Sequence, residues 1–525
     1  MDIHPGRLSI LDTTFRDGAQ SPLVETVELK DSLECLKLLD ELELDYLEVG
    51  FAASNNGDAE RIRQAIKLGL KTKIAAFGWA TLETVEQMTA LNVPVAVLVA
   101  KSRKRDVAVS LRQDPEEYLD TVARSVKMLV ERGIEVILDA EHAFQAINED
   151  DQKFALRLFK KCWQAGARWI VLCDTNGKSS VKLAASAIRI AAKAIPLETL
   201  GVHFHNDRGR AIALAETAYQ LGVRHIQGVF GGFGERAGNT DLSILIANLC
   251  QDFDCTNFSP EVLAKFTAAY RKLCEILNIV PDPCHPWVGK DAFFTKAGIH
   301  ASGEKRDPGS YLHADPGLVG NCTKFGLSDI SGKTNLLIKA KEMGVETPEE
   351  KLPELARRYK ELADSGIIFE RAEASFYLWL LRELNLFEIP LAFVSWQVSD
   401  KCFPNRDGDI SEVNLAMSVE GEDRFSSAYG AGPVNALEKA LRRILCEKFP
   451  DIGPVKLMGF TLKTLGMQEG SAAVVRILCD FTDGSDIWTS IGANEDFLRA
   501  AWQALLDGYC YKLAKIASNK KPITT

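Results

Sequence analysis

The feature that most restricts the fold of this chain is a unit that repeats eight times between Leu8 and about Ile246. Each unit is a short apolar run followed by a longer stretch with the spacing of an amphipathic helix. The runs are predicted strands: Leu8–Leu11, Tyr46–Val49, Lys73–Phe77, Val95–Ala100, Glu135–Leu138, Trp169–Cys173, Leu200–Phe204 and His225–Val229. Eight strand–helix units within about 250 residues predict an α/β fold, the closed (β/α)8 TIM barrel. The alternative is an open doubly wound sheet, but that fold does not naturally give eight units, and no G-x-G-x-x-G follows the first strand.

Polar residues follow nearly every predicted strand at its carboxyl end, which is where such a barrel carries its chemistry. The segments are Asp12–Gln20, Glu48–Phe51, Phe77–Gly78, Asp139–His142, Asp174–Gly177, His203–Asp207 and Gly231–Asn239. A barrel with a purely structural role does not need polar groups at these positions. We therefore predict that this end of the barrel is a catalytic site.

His203 and His205 end the seventh predicted strand, with Phe204 between them. Side chains two positions apart in a strand point to the same face, so both imidazoles can reach one ion. Imidazole is a suitable ligand for zinc, manganese and other transition metals. A carboxylate from another strand end would complete the site. The alternative is a pair of hydrogen-bonded histidines without a metal.

A chain of 525 residues is too long for one compact domain. The last part looks duplicated, because Ser411–Val419 and Ala472–Asp480 read as strands that each precede a helix. Such a module is expected to be an α+β regulatory or dimerising domain with two-fold character. Its glycine-bearing loops, at Gly430–Gly432 and Gly492, are expected to let the backbone approach a small ligand. We predict four segments: a catalytic barrel over 1–280, a mostly helical linker region over 281–389 that contributes to the active site, a duplicated α+β domain over 390–515, and a tail over 516–525.

Composition restricts the classes of partner. The formal net charge of −10 argues against a nucleic-acid-binding protein, which carries a basic surface. No apolar run approaches the roughly 20 residues that a membrane helix needs, and the first residues lack the apolar core of a signal peptide. The 12 cysteines are scattered without a C-x-x-C pair, which favours a reducing compartment. We therefore expect a cytoplasmic protein that binds neither nucleic acid nor membrane.

Three motifs together resemble one known family: Arg16-Asp17-Gly18 after Asp12-Thr13-Thr14, the run His203–Asp207, and Gly234–Asn239. This is the 2-isopropylmalate, citramalate and homocitrate synthase family, whose members condense acetyl-CoA with a 2-oxo acid on a metal-bearing barrel. The resemblance covers nearly the whole chain, and within the family it is most similar to the long citramalate synthase branch. It implies acetyl-CoA and pyruvate as substrates, (R)-citramalate and CoA as products, a homodimer, and isoleucine or leucine as an effector of the C-terminal domain.

The resemblance also implies roles for individual residues. A divalent metal ion (magnesium, manganese or zinc) is expected on Asp17, His203, His205 and Asn239. Contacts to the 2-oxo acid are expected from Arg16, Gln20 and Thr175. Catalytic roles are expected for Arg16, Glu141, His300 and Tyr311. Arg16 would supply a fixed positive donor to the developing oxyanion. His300 would help to remove the acetyl proton, since the pKa of imidazole suits a base at neutral pH.

The sequence departs from the family pattern in three places. Thr295 stands where the family often has a further histidine, Arg208–Arg210 is more basic than usual, and the loop Gly50–Asn56 lacks the usual proline. The first departure bears on the proton relay, and the other two leave the 2-oxo acid open, with 2-isopropylmalate and homocitrate synthase as sister activities. A second class is a carbon–carbon lyase of the hydroxymethylglutaryl-CoA lyase type, against which the duplicated C-terminal domain argues. A third is a non-catalytic sensor, against which the complete set of site residues argues.

Overall fold

The protein is described here by a computed structural model. Its described residues are 7–25, 27–52, 56–149, 151–253, 255–295, 300, 303–304, 306–307, 309–325, 333–364, 366–401, 410–465, 473–484 and 486–520. The chain divides into two compact units. The first comprises Met1–Phe294 and Leu312–Lys324, and the second comprises Thr295–Tyr311 and Phe325–Thr525.

Eight parallel strands close into a barrel in the first unit. They are β1 (Ser9–Asp12), β2 (Tyr46–Phe51), β3 (Lys73–Trp79), β4 (Val95–Lys101), β5 (Glu135–Glu141), β6 (Trp169–Asp174), β7 (Leu200–Phe204) and β8 (His225–Gly228). Strand β1 pairs in parallel with β8, which closes the ring. The predicted TIM barrel is therefore confirmed, and the open doubly wound sheet is excluded.

Helices follow the strands and cover the outside of the barrel. They are α1 (Leu29–Asp40), α2 (Asn56–Lys67), α3 (Leu82–Leu91), α4 (Lys104–Asp106), α5 (Pro115–Glu131), α6 (Ala143–Asn148), α7 (Gln152–Gln164), α8 (Val181–Ala191), α9 (Ala211–Gln220), α10 (Leu242–Asp252), α11 (Pro260–Leu263) and α12 (Phe266–Ile276). Apolar side chains of strands and helices form one buried layer between them. Several strands extend beyond the predicted limits; β5, for example, runs to Glu141 rather than Leu138. The strands therefore include polar residues at their carboxyl ends, which a search for apolar runs alone does not assign to a strand.

The barrel interior is apolar towards the amino ends of the strands and polar towards their carboxyl ends. Buried Tyr46 and Trp169 belong to an inner apolar cluster that is separate from the outer layer. The ring of Trp169 stacks on buried His225, with ring centroids 4.9 Å apart. At the other end, Glu48, Asp139, His203 and Gln227 are buried. Because side chains alternate along a strand, these residues follow the apolar ones on the same inward faces.

The segment after the barrel returns to the first unit. The Nε2 atom of His285 lies 2.7 Å from Oδ2 of Asp241, the residue that caps α10. The ring of His285 also stacks on Tyr270, with centroids 4.6 Å apart. The side-chain amide of Asn321 donates to the carbonyl oxygens of Trp287 and Gly289, each at 2.9 Å. These bonds hold both parts of the segment without a long element of secondary structure.

The second unit contains a helical part and two antiparallel sheets. Two-residue strands β9 (Phe294–Thr295) and β10 (Lys324–Phe325) pair with each other where the chain passes from one unit to the other along the sequence. The helices are α13 (Lys333–Glu342), α14 (Leu352–Asp364), α15 (Glu373–Glu383), α16 (Pro433–Lys448) and α17 (Phe497–Lys520). The longer strands are β11 (Leu391–Lys401), β12 (Ile410–Val419), β13 (Glu422–Gly430), β14 (Lys456–Thr464), β15 (Val475–Thr482) and β16 (Ile487–Asn494).

The C-terminal duplication is present in the structure. Strands β11, β12 and β13 form one three-stranded sheet, and β14, β15 and β16 form another. Helix α16 follows the first sheet and α17 follows the second, and the apolar faces of both repeats contribute to one buried cluster. The backbone N–H groups of Thr489 and Ile491 also bond to Glu373 and Ser375 of α15, at 3.1 and 3.0 Å. The predicted domain limits stay predictions.

Gly492 does not lie in a ligand-approaching loop, which the duplicated pattern suggested for it. It is part of β16, and a Cβ atom at this position would meet the backbone of Ala500 and come within 2.9 Å of the Cβ of Gln503. The glycine therefore allows α17 to pack closely on the sheet. Substitution there would disturb the fold, so Gly492 is unsuitable for testing ligand binding.

None of the helices in the described ranges is long and apolar enough to cross a lipid bilayer. The 11 cysteines of the described part of the chain are all free thiols.

Candidate active site and metal group

Asp17, His203 and His205 meet at the carboxyl end of the barrel. Oδ2 of Asp17 lies 3.1 Å from Nε2 of His203 and 3.8 Å from Nε2 of His205. All three residues are buried, and the atoms with which they could bind an ion lie within 4.8 Å of one another. This is the one such group of three or more His, Cys, Asp or Glu residues within the residues that the structure describes. The same-face geometry predicted for the two histidines is therefore present.

Asn239 joins this group through the backbone of the loop after β8. The N–H of Asn206 donates to the carbonyl of Gly238 at 2.8 Å, and the N–H of Thr240 donates to the carbonyl of Phe204 at 3.0 Å. These bonds place Asn239 opposite His205, and its Nδ2 atom lies 2.6 Å from Oδ2 of Asp17. Gly238 has a φ of +90°, which a glycine adopts without strain.

The composition of the group suits a divalent cation. Oδ1 of Asp17, Nδ1 of His205 and Oδ1 of Asn239 are buried and have no hydrogen-bond partner among the described residues. Unpaired buried polar atoms destabilise a fold, so several of them in one place call for an explanation such as a bound ion. Two imidazoles with oxygen ligands form an N/O set that transition metals and Mg²⁺-like ions can share. The four residues thus fit the metal that the family resemblance implies, and their role as ligands stays a prediction.

Charge and burial act in opposite directions on the pKa values of this group. Burial would raise the pKa of the Asp17 carboxyl, but Arg16 and the hydrogen bond from His203 hold it well below its usual range. Burial, with the nearby charge of His203, lowers the pKa of His205 to about 4. At neutral pH, Asp17 is therefore an anion and His205 a neutral imidazole. These are the states in which the two side chains bind metal ions.

Arg16 is fixed beside the group by two carboxylates and an aromatic ring. Its Nη1 atom lies 3.2 Å from Oδ2 of Asp17, and its Nε atom donates to Oε2 of Glu48 at 2.7 Å. The guanidinium lies over the ring of Phe77, 4.5 Å from the centroid. Burial, against the opposing charge of Arg16, raises the pKa of Glu48 to about 7. An arginine held in this way is preorganised to donate to an oxygen of a bound substrate.

A cavity of about 690 Å³ opens above the group. Seven of the residues with expected roles line it, namely Arg16, Asp17, Gln20, Glu141, Thr175, His203 and His205. The hydroxyl oxygen of Thr175 accepts a hydrogen bond from the N–H of His142 at 2.9 Å, so the hydroxyl hydrogen is available to a substrate oxygen. Glu141 pairs with Nζ of Lys101 at 2.5 Å. Gln20 is exposed and lines the same cavity, and its role stays a prediction.

His300 and Tyr311 belong to the second unit, where both are exposed and their rings stack with centroids 4.5 Å apart. Buried Glu304 accepts from the N–H groups of Gly309 and Tyr311 at 2.6 and 2.9 Å, and so holds this segment. The pairing of His300 with Tyr311 agrees with a joint function. The roles of both residues stay predictions. Two of the places where the sequence departs from the family pattern bear on this region. Residues 53–55 lie outside the described residues, whereas Thr295 is in β9.

Two functionally placed residues were not singled out from the sequence. Arg236 forms a two-point contact with the Asp207 carboxylate at 2.7 and 3.0 Å, and it also donates to the carbonyl of Thr175 at 2.9 Å. It thereby links the ends of β6, β7 and β8. Gln227 contacts both His203 and Asp139. Its signal in the sequence was a polar residue two positions after His225 on an otherwise apolar strand.

Known proteins are similar to this chain over nearly its whole length. Residues 7–280 match the HMGL-like family, residues 287–367 the homocitrate synthase post-HMGL domain-like family, and residues 371–513 the LeuA allosteric (dimerisation) domain. The (R)-citramalate synthase of Aquifex aeolicus is 33% identical over 523 residues, covering 97% of this chain and 98% of the relative. The (R)-citramalate synthase of Sulfolobus acidocaldarius is 34% identical over 519 residues, covering 96% and 97%. That of Geobacter sulfurreducens is 33% identical over 520 residues, covering 97% and 98%.

The matches to the barrel, to the segment after it and to the C-terminal domain follow one another along the chain in the order that the sequence motifs implied. The predicted family resemblance is confirmed. The barrel with its buried Asp–His–His group, and the full-length similarity to curated relatives, lead to one assignment: this chain belongs to the HMGL-like family, in the form that carries a LeuA dimerisation domain.

Proposed function

We propose that the protein is an acyltransferase that condenses acetyl-CoA with pyruvate and water to give (R)-citramalate and CoA. The observation that carries this proposal is the position of Arg16, a fixed cationic donor 3.2 Å from Asp17 in the buried Asp–His–His group. A 2-oxo acid offers a carboxylate and an adjacent carbonyl oxygen, which together suit a cation and a neighbouring guanidinium. The full-length similarity to (R)-citramalate synthases gives the substrate pair.

Asp17, His203, His205 and Asn239 would hold the divalent ion, for which we propose magnesium, manganese or zinc. When bound, such an ion supplies Lewis-acid polarisation of the oxo-acid carbonyl. Arg16 donates to the oxygen on which negative charge develops. The Thr175 hydroxyl and Gln20 orient the substrate carboxylate. These side chains come from four strand ends, those of β1, β6, β7 and β8, so closure of the barrel sets their geometry before substrate binds.

His300 accepts a proton from the acetyl methyl group, and the resulting carbanion attacks the oxo-acid carbonyl carbon. Stacked Tyr311 orients the imidazole. Glu141, paired with Lys101, keeps a carboxylate at the cavity wall close to the reacting groups. Hydrolysis of the thioester then releases CoA, which balances the reaction.

The wall beside Arg16 favours a small 2-oxo acid. Phe77 lies under the guanidinium, and the ring of Phe51 is 5.4 Å from that of Phe77, so this side is apolar. A methyl group fits such an apolar wall, whereas the second carboxylate of 2-oxoglutarate would lose its hydration there without gaining a partner. Homocitrate synthesis is therefore the less suitable alternative.

The first prediction concerns the substrate. With acetyl-CoA, we expect kcat/KM for thiol release to be highest with pyruvate, lower with 2-oxoisovalerate and lowest with 2-oxoglutarate. A thiol-reactive dye measures CoA directly, and mass spectrometry identifies the product. The control is thioester hydrolysis without any oxo acid. Cleavage of hydroxymethylglutaryl-CoA in place of condensation would instead show a lyase, and preference for 2-oxoisovalerate a 2-isopropylmalate synthase.

The second prediction concerns the metal. His203→Ala should lower the bound divalent metal, measured by elemental analysis after dialysis, and should remove metal-dependent turnover, because one nitrogen ligand is lost. Ser9→Ala is a matched control, since Ser9 contacts His225 at the opposite end of the barrel, at 3.2 Å. Full activity of His203→Ala after exhaustive chelation would contradict the metal assignment.

The third prediction concerns the base. His300→Asn should lower kcat by roughly 10²–10⁴, the usual effect of removing a positioned acid–base group. The metal content should stay at the wild-type level. Exchange of the acetyl methyl hydrogens with deuterated water, followed by NMR, isolates the proton-transfer step. If exchange and turnover both persist at wild-type rates, His300 is not the base.

The C-terminal domain is proposed to form a homodimer and to bind isoleucine or leucine. Residues exposed on one face of β13 include Phe425 at 77% and Tyr429 at 59%, and on β14 Met458 at 58%. Large apolar side chains exposed along the face of a strand are typical of an interaction surface. The LeuA dimerisation domain covers both strands. A symmetric dimer would place two copies of the duplicated module around one axis.

The fourth prediction concerns this module. Sedimentation should show a dimer for the wild type and a lower association constant for Phe425→Lys, because a charge would replace an apolar contact. Val280→Lys, at a side chain 85% exposed in the first unit, is the control. Isoleucine should bind the wild type in calorimetry, and exposed Ala431→Asp should weaken that binding while turnover without effector stays within a few-fold. Absence of any binding of isoleucine, leucine or valine at millimolar concentration would leave dimerisation as the role of the module.

A further inference from the structure

Gln227 of β8 lies directly beside His203 of β7. The two residues are partners in the parallel register of these strands, and both are buried. Nδ1 of His203 is 3.0 Å from Oε1 of Gln227. The opposite ring nitrogen, Nε2, is the one that faces Asp17, at 3.1 Å. The imidazole is therefore held between an amide on one side and the candidate metal group on the other.

The other end of the Gln227 side chain is held across the barrel interior. Its Nε2 atom donates to Oδ1 of Asp139 at 2.7 Å, although Asp139 lies on β5, three strands away in the ring. Asp139 is buried as well, so water does not compete for this bond. The two hydrogen bonds form a chain from β7 through β8 to β5.

The order of donors and acceptors along these two hydrogen bonds is fixed. A carboxylate only accepts hydrogen bonds, so Asp139 must face the amide N–H₂ of Gln227. The carbonyl oxygen of Gln227 then faces His203 and must accept from Nδ1–H. Because Nδ1–H is committed to Gln227, Nε2, which faces Asp17, is the nitrogen that offers its lone pair when a cation displaces the proton donated to Asp17. A glutamine meets both requirements, whereas an apolar residue of the same size meets neither.

We propose that Gln227 is a positioning residue which, anchored by Asp139, sets the tautomer and ring orientation of His203 and thereby strengthens cation binding at the group. This inference rests on the proposed metal site. Partners that hydrogen-bond a metal-binding histidine commonly affect metal affinity by 10–100-fold. The effect acts through His203, because the Gln227 side chain is committed to its two hydrogen bonds.

The test uses the full-length protein freed of metal and titrated with Mn²⁺ by calorimetry. Gln227→Met keeps the length of the side chain and removes both hydrogen bonds, and it should weaken Mn²⁺ binding about 10–100-fold. In protein labelled with ¹⁵N-histidine, the ring nitrogens of His203, assigned with the His203→Ala variant, should lose the Nδ1–H signature seen in the wild type. Ser9→Ala removes a buried hydrogen bond to the same strand and should change neither measurement.

An exchange variant separates positioning from general damage to the core. Asp139→Asn combined with Gln227→Glu puts the amide on β5 and the carboxylate on β8, and it keeps the net charge. The new carboxylate accepts from both His203 and Asn at position 139, so Mn²⁺ affinity and the Nδ1–H signature should return to within a few-fold of wild type. Should Gln227→Met fail to fold by circular dichroism, Gln227→Asn, whose shorter amide cannot span both partners, replaces it.

The outcomes distinguish this inference from the metal site itself. If the wild type binds no Mn²⁺, the proposed metal site fails. If the wild type binds Mn²⁺ but Gln227→Met binds it within two-fold and keeps the His203 signature, Gln227 has no positioning role. An exchange variant that binds as weakly as Gln227→Met would likewise overturn the inference.

Discussion

The burial of one carboxylate, that of Asp17, is the constraint on which the site depends. A buried charge is unfavourable unless oppositely charged or hydrogen-bonding groups surround it. Here the partners are Arg16 from the same loop, His203 from β7 and Asn239 from the loop after β8. They reach Asp17 because β1 pairs with β8 and the ring is closed. Closure of the barrel and satisfaction of this charge are therefore one structural requirement, which explains why the first and last strands carry the most specific motifs.

The loops around the site are tied to one another as well as to the barrel. Arg236 connects the loop after β8 to Asp207 after β7 and to Thr175 after β6. Gly177 leaves room for this arrangement, since a Cβ atom there would meet the Asp207 side chain. Three sequence motifs that are distant along the chain are thus one interlocked surface. A substitution in any of them would displace the groups that face the cavity, which includes the hydroxyl of Thr175.

The sequence predicted the barrel well because its evidence is local. Each apolar run and each amphipathic helix can be recognised within about 15 residues, and the polar strand ends identify the active face. The Asp17, His203 and Asn239 cluster came from motif resemblance. Gln227 could not be found in this way, because its partner Asp139 is 88 residues distant along the chain and meets it only across the barrel interior. The prediction for Gly492 was wrong for a similar reason. A glycine is needed there because helix α17 packs closely on the sheet, and this contact is not visible in the local sequence. His300 and Tyr311 stack on each other in the structure, and their catalytic roles stay predictions.

The packed amino-terminal end of the barrel has a consequence for how substrate enters and product leaves. Tyr46, Trp169 and His225 pack against one another and block the amino-terminal end of the barrel. The barrel therefore offers no passage at this end, and we expect both the oxo acid and the product to pass through the carboxyl ends of the strands. A product molecule that stays bound occupies the position of the next oxo acid. The hydroxy diacid should therefore be a competitive inhibitor with respect to the oxo acid.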